Sequence, residues 1–213
     1  MRKWTLPLAA ASLAVLSIGT LQAQNGPPQI PGQLDPSRVQ AGTYKTDKNH
    51  SLVGWRINHF GFNDYFGIFG DVDATLTIDP ANLSAAKVDA TIPINPVLAS
   101  QALRDHLLRD GQDGKKPDFF GSKQQPAHFV STKVEASGNK ATITGNFTLN
   151  GVTKPVTIDA QFTGAGNSMM GNKLTLGFEG TATIKRSDFG LTTFVPMVSD
   201  EVELQISTAF EKQ

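Results

Sequence analysis

Alternation of apolar and polar residues, repeated in run after run between Tyr44 and Phe210, is what most restricts the folds open to this chain. In the first run Val53, Trp55, Ile57 and His59 share one face, with Gly54, Arg56 and Asn58 on the other. That is the period of a half-buried strand. The turn that follows, from Phe60 through Phe62 and Phe66 to Gly67, is aromatic where most turns are polar. A second run places Ile68, Gly70, Val72, Ala74, Leu76 and Ile78 on one face before Asp79-Pro80 stops it. Large rings gathered about a turn need a shared interior, so they either plug a core or line a cavity.

The pattern continues downstream. Val88, Ala90, Ile92 and Ile94 form a third face, with Pro93 and Pro96 marking an edge or a bend. Residues 97–108 switch to helical spacing through Leu98, Ala102, Leu103, His106 and Leu107, and Gly111 stands beyond as a stop. Alternation then returns over residues 128–136, 141–150, 153–163, 173–186 and 201–210. Asn150-Gly151 is a strong hairpin signal, because a tight turn favours residues that tolerate positive φ. The expected fold is all-β: an antiparallel up-and-down barrel of about eight strands with one short helix, which leaves no exposed edge. A two-sheet sandwich is the alternative, since periodicity does not report closure.

Three segments are expected. Residues 1–23 begin Met1-Arg2-Lys3, continue with an apolar run to about Ile18 and end Leu21-Gln22-Ala23, the layout of a cleavable secretory signal. Residues 24–42 carry Pro27, Pro28, Pro31 and Pro36 and read as a flexible leader. Residues 43–211 form the barrel domain. The expected location is the periplasm, with no stable membrane span in the mature chain. Lys plus Arg and Asp plus Glu number 19 each, so there is no electrostatic footprint for nucleic acid. The absence of cysteine removes disulfides and thiolate metal sites.

Catalytic patterns are missing. There is no Gly-x-Ser-x-Gly elbow, phosphate loop or dinucleotide fingerprint. His50 and His59 are too far apart on their strand to chelate as a local pair, and His106 and His128 are isolated. Asp71 and Asp73 read as a solvated strand face. No catalytic residue, metal site or cofactor is assigned.

Several short stretches, in order, resemble the YceI-like family of lipid- or polyisoprenoid-binding proteins. They are Asp47-Lys48-Asn49-His50-Ser51, His59-Phe60-Gly61, Gly67-Ile68-Phe69, His106-Leu107, Asp118-Phe119-Phe120, residues 126–132, residues 149–156 and Arg186-Ser187-Asp188-Phe189-Gly190. The segment 110–117 departs from the pattern by expansion. The resemblance implies a lipocalin-like barrel around a tunnel and a non-enzymatic carrier of polyisoprenoid or similar amphiphilic lipid, such as a polyprenyl phosphate or a quinone tail. Trp55, Ile57, His59, Phe60, Phe62, Phe66, Phe119, Phe120 and Arg186 are the expected ligand contacts. Arg186 reads either as a fork for an anionic head group or as an internal partner of Asp188 or another acid. A homodimer is compatible with this reading. The rivals are a histidine-dependent metal protein or enzyme, and a module whose barrel is filled by its own side chains.

Overall fold

The alternating runs become one continuous ladder. The computed structural model describes residues 30–213; the expected signal segment and the first residues of the leader lie outside them. The strands are β1 (Gly42–Thr46), β2 (Leu52–His59), β3 (Asn63–Phe69), β4 (Asp73–Ile78), β5 (Lys87–Ile92), β6 (Pro96–Leu98), β7 (Ala127–Ser137), β8 (Lys140–Leu149), β9 (Val152–Asn167), β10 (Leu174–Lys185) and β11 (Glu201–Lys212). Among the described residues a single α-helix, α1 (Gln101–Leu108), interrupts them. All pairings are antiparallel, and β11 returns to β1 to close the ring.

Eleven segments make eight staves because three are broken in the middle. The C-terminal part of β11 pairs with β1 (Tyr44↔Lys212) and its N-terminal part with β2 (Arg56↔Glu203), so β1 and β2 form one stave. By the same logic β3 continues into β4 and β5 into β6. Breaks in a ladder leave backbone groups unpaired, and buried ones must find partners. Hydroxyls supply them. Thr46 Oγ1 accepts from the Ala74 amide at 2.9 Å and donates to the Val72 carbonyl at 2.8 Å, and the fully buried Ser51 Oγ accepts from the Ala209 amide at 3.3 Å.

The second break corrects the alternation expected for residues 68–78. Asp71 adopts φ 55°, and this left-handed residue shifts the phase by one position. Before it Tyr65 and Phe69 face inward and Ile68 pairs outward with Leu98; after it Val72, Ala74 and Leu76 face inward. The helix is also shorter than its periodicity suggested. Ser100 caps it by accepting from the Leu103 amide at 3.2 Å, so residues before the cap are free to pair with β3 as β6. At the β8–β9 hairpin Asn150 and Gly151 take φ 52° and 76°, as a two-residue turn requires.

The described part of the leader is not loose. Gln33 exchanges backbone hydrogen bonds with Ala165 at 3.0 and 2.8 Å, Asp35 caps a short 3-10 turn (Pro36–Arg38), and Val39 packs against a buried cluster that includes Tyr44, Leu76 and Phe162. Proline content pointed to flexibility; pairing with β9 overrides it from Gln33 onward. A second cluster, around Ile94, Leu149, Phe189 and Leu191, seals part of the end that carries α1.

Candidate functional site: an apolar lumen

Between the two clusters the barrel is hollow. Its lumen encloses about 390 Å³, within the range of small-molecule sites. The wall is built by the inward residues of the staves: Val53, Trp55 and Ile57 from β2, Val88, Ala90 and Ile92 from β5, Gly180, Ala182 and Ile184 from β10, and Val202, Leu204 and Ile206 from β11. Apolar residues at period two along these strands leave almost no polar surface inside. Small residues at 90, 180 and 182 keep the space open.

The α1 end is aromatic and carries most of the polar side chains of the lining. His59 stacks on Tyr65, with ring centroids 4.1 Å apart and planes at 9°, and meets Phe60 edge-on at 4.5 Å. His106, on α1, meets Phe119 edge-on at 5.1 Å and lies 6.4 Å from Phe194. Deeper in, Trp55 lies across Gly67. A Cβ at Gly67 would stand 2.6 Å from the indole Cζ2, so only glycine lets the ring lie against β3. The Trp55 Nε1 is buried and has no hydrogen-bond partner among the described residues. Its neighbours across the ladder, Leu204 and Gly67, offer only apolar side chains or none.

Of the expected contacts, Trp55, Ile57, His59, Phe60, Phe119, Phe120 and Arg186 lie on the lumen wall. Phe62 and Phe66 do not. Phe62 sits at the tip of the β2–β3 hairpin and is 88% exposed; Phe66 points outward from β3 and is 67% exposed. The reason is phase, because Phe66 lies between the inward Tyr65 and Gly67 and must face away. Periodicity missed Phe194 and Val198, which reach the lumen from an irregular segment with no period to read. It also left Tyr65 and His106 unassigned, although the pairing of Tyr65 with Ile57 and the spacing of His106 with Leu103 and Leu107 carried the signal.

Of its two expected courses Arg186 follows the internal one, with Asp200 as the nearby acid. It is 4% exposed, and its guanidinium donates to four backbone carbonyls, those of Leu191 (2.8 Å), Thr193, Val198 and Ser199 (each 2.9 Å). Burial pulls its pKa down, opposed by the charge of Asp200. Asp188 is not a partner; Asp200 accepts instead from the Ser187 amide (2.9 Å) and hydroxyl (2.8 Å). Arginine here organises carbonyls that no strand satisfies, and little of its fork remains for a phosphate.

The other histidines are dispersed. His50 bonds Asp47 at 2.6 Å, His106 bonds Asp118 at 3.2 Å, and His128 bonds Asp89 at 2.7 Å. Hydrogen bonds from His106 and then Arg109 hold the Asp118 carboxyl below the usual carboxylate range. Among the described residues no group of three or more His, Cys, Asp or Glu comes close enough to hold a metal ion. No helix among them is long and apolar enough to cross a membrane.

A second cavity of about 390 Å³ lies at the opposite end, lined by Pro36, Val39, Leu83, Val134, Phe162 and others. It shares Leu76, Val88, Ile143, Ala160 and Phe178 with the first. Phe178 stands between them, edge-on to Phe162 at 5.7 Å and to Phe210 at 6.0 Å.

A model of the YceI-like domain matches residues 44–210, the whole barrel but for two residues at each end. The chain belongs to the YceI-like family. A UPF0312 protein of Pseudomonas aeruginosa (strain LESB58) is 45% identical over 173 residues, 80% of this chain and 87% of that one. Protein YceI of Salmonella heidelberg is 44% identical over 170 residues, 78% and 85% of the two chains. Among solved structures, Burkholderia cenocepacia BcnA superposes with TM-score 0.64 at 26% identity over 77% of this chain and 98% of its own. A polyisoprenoid binding domain from Saccharophagus degradans shares the fold at TM-score 0.52 and 13% identity, covering 80% and 98%. YceI-like barrels thus supply the closed eight-stave architecture described above.

Proposed function

We propose that this YceI-like protein is an exported carrier that holds one amphiphilic lipid, of polyisoprenoid or similar long-chain type, in its barrel lumen. The observation that carries this reading is a hollow of about 390 Å³ with an almost wholly apolar wall, where a filled barrel would have side chains. Removing an apolar chain from water contributes about 25 cal/mol per Å² of surface buried, less the cost of ordering it. The chain's polar end would lie towards His59, Tyr65 and His106, and the unpartnered Trp55 Nε1 offers a donor to a carbonyl or ether oxygen further in. Binding without chemistry accounts for the site better than catalysis does: its histidines sit against aromatic rings or single aspartates. Export to the periplasm, with a mature chain starting at Gln24, rests on the composition of residues 1–23.

Ala182→Phe tests the reading. Ala182 faces the lumen opposite Leu204, so a phenyl ring there enters empty space. Expected is a protein of near-normal melting temperature that no longer quenches or shifts Trp55 emission with polyprenol and yields no lipid on solvent extraction. A loss of about 1–3 kcal/mol of stability, the usual cost of overpacking a full core, would show that the barrel is filled and the reading wrong.

A further inference from the structure

We propose that the apolar rim at the α1 end of the barrel is a docking surface for a lipid bilayer, through which the lumen is loaded and emptied; the proposal rests on the lipid-carrier reading above. Phe62, at 88% exposure, crowns the β2–β3 hairpin. Phe66 (67%) and Leu98 (53%) stand on the outer face of β3 and β6, brought together by the pairing of Ile68 with Leu98. Met197 (56%) is tied to the same hairpin, because the Phe60 amide donates to its carbonyl at 2.8 Å. Single exposed apolar residues need no explanation, but a contiguous set does.

What covers this set is indicated by its continuity with the lumen. Phe60 and Phe194, 6.5 Å apart, both line the cavity and are both exposed, by 41% and 44%. Through these two rings the apolar wall passes from inside the barrel to the outside, beside His59 and His106. A chain that leaves through water exposes its methylenes, each at a cost of roughly a factor of four in population; a rim seated in a leaflet avoids that exposure. Rings carried on separate protruding turns suit shallow insertion between head groups more than a flat protein partner. The neighbouring α1 and the loop after it carry Arg104, Arg109, Lys115 and Lys116 against Asp105, Asp110, Asp113 and Asp118, so the attraction to a leaflet is apolar and not one of net charge. The exposed Met169 and Met170, at the far end of the barrel, line neither cavity and provide an internal control.

The test uses the purified protein with phosphatidylcholine vesicles containing phosphatidylglycerol and a polyprenol. Co-sedimentation is measured together with the rate at which polyprenol enters the protein as vesicle concentration is varied. Expected are vesicle binding and a transfer rate that rises with vesicle concentration, both reduced roughly tenfold or more in Phe62→Ser/Phe66→Ser. The same variant should take up polyprenol from cyclodextrin as the parent does, and Met169→Ser/Met170→Ser should match the parent throughout. A rate independent of vesicle concentration, or an unaffected rim variant, overturns the proposal. So does light scattering that finds a dimer in the parent and a monomer in the rim variant, which would make the rim an interface between copies. Failure of the parent to take up polyprenol from cyclodextrin would overturn the carrier reading itself, while co-sedimentation would still report on docking.

Discussion

Arg186 shows how a single side chain can look functional in sequence and be architectural in space. Four carbonyls of the loop between β10 and β11 converge on it, and a charged group so enclosed is costly to remove because its acceptors lose their donors together. Asp200 completes the arrangement. Burial pushes its carboxyl up, but the Ser187 amide and hydroxyl and then the Arg186 charge outweigh this and leave its pKa below the usual value. A carboxylate with a depressed folded-state pKa contributes stability above its unfolded value, and that contribution is lost as pH falls through the folded one. Asp200→Asn should therefore melt below the parent at pH 7, and the gap should close as pH drops under about 4. Thermal melts across that range check it; a gap independent of pH would mean that the charge is idle.

The staves illustrate what alternation can and cannot report. Position and pairing of β7 to β11 follow from runs such as 128–136 and 201–210, each long and bounded by a turn residue, although bulges at Thr132 and Thr163 interrupt the alternation within β7 and β9. The hairpin at Asn150-Gly151 was equally plain. Gly151→Val meets no neighbour in space, so its cost comes from backbone conformation alone. It should lower stability by about 1 kcal/mol or more, a few degrees in melting temperature, and calorimetry decides. The broken staves were harder to read. A left-handed Asp71 flips the inward face between Phe69 and Val72, and no residue pattern announces a one-position slip when apolar residues stand on both sides of it. Val97 and Leu98 looked helical because Leu98 fits a helix period, yet a cap at Ser100 left them free to pair with β3. The lumen inherits these limits: contacts on regular strands were visible, those from 190–200 were not, and the aromatic turn mixed inward Phe60 with outward Phe62 and Phe66.

Considered as one object, the barrel has two hollows in line and a ring of phenylalanines between them. Phe178 touches both spaces and is braced by Phe162 and Phe210, and the leader segment from Pro36 to Val39 closes the far hollow. A guest that fits the first hollow leaves Phe178 in place; a longer one must displace it. The arrangement behaves as a ruler, grading guests by chain length where the head group offers little grip. Shortening the stop should move the mark. Phe178→Ala joins the two spaces and should shift the preferred polyprenol to longer chains by several isoprene units, roughly what a second space of similar volume adds, while shorter ones bind less tightly for want of wall contact. Competition between prenols of graded length, followed by mass spectrometry of the bound fraction, reads that mark directly, and an unchanged length profile would mean that the far hollow is never entered.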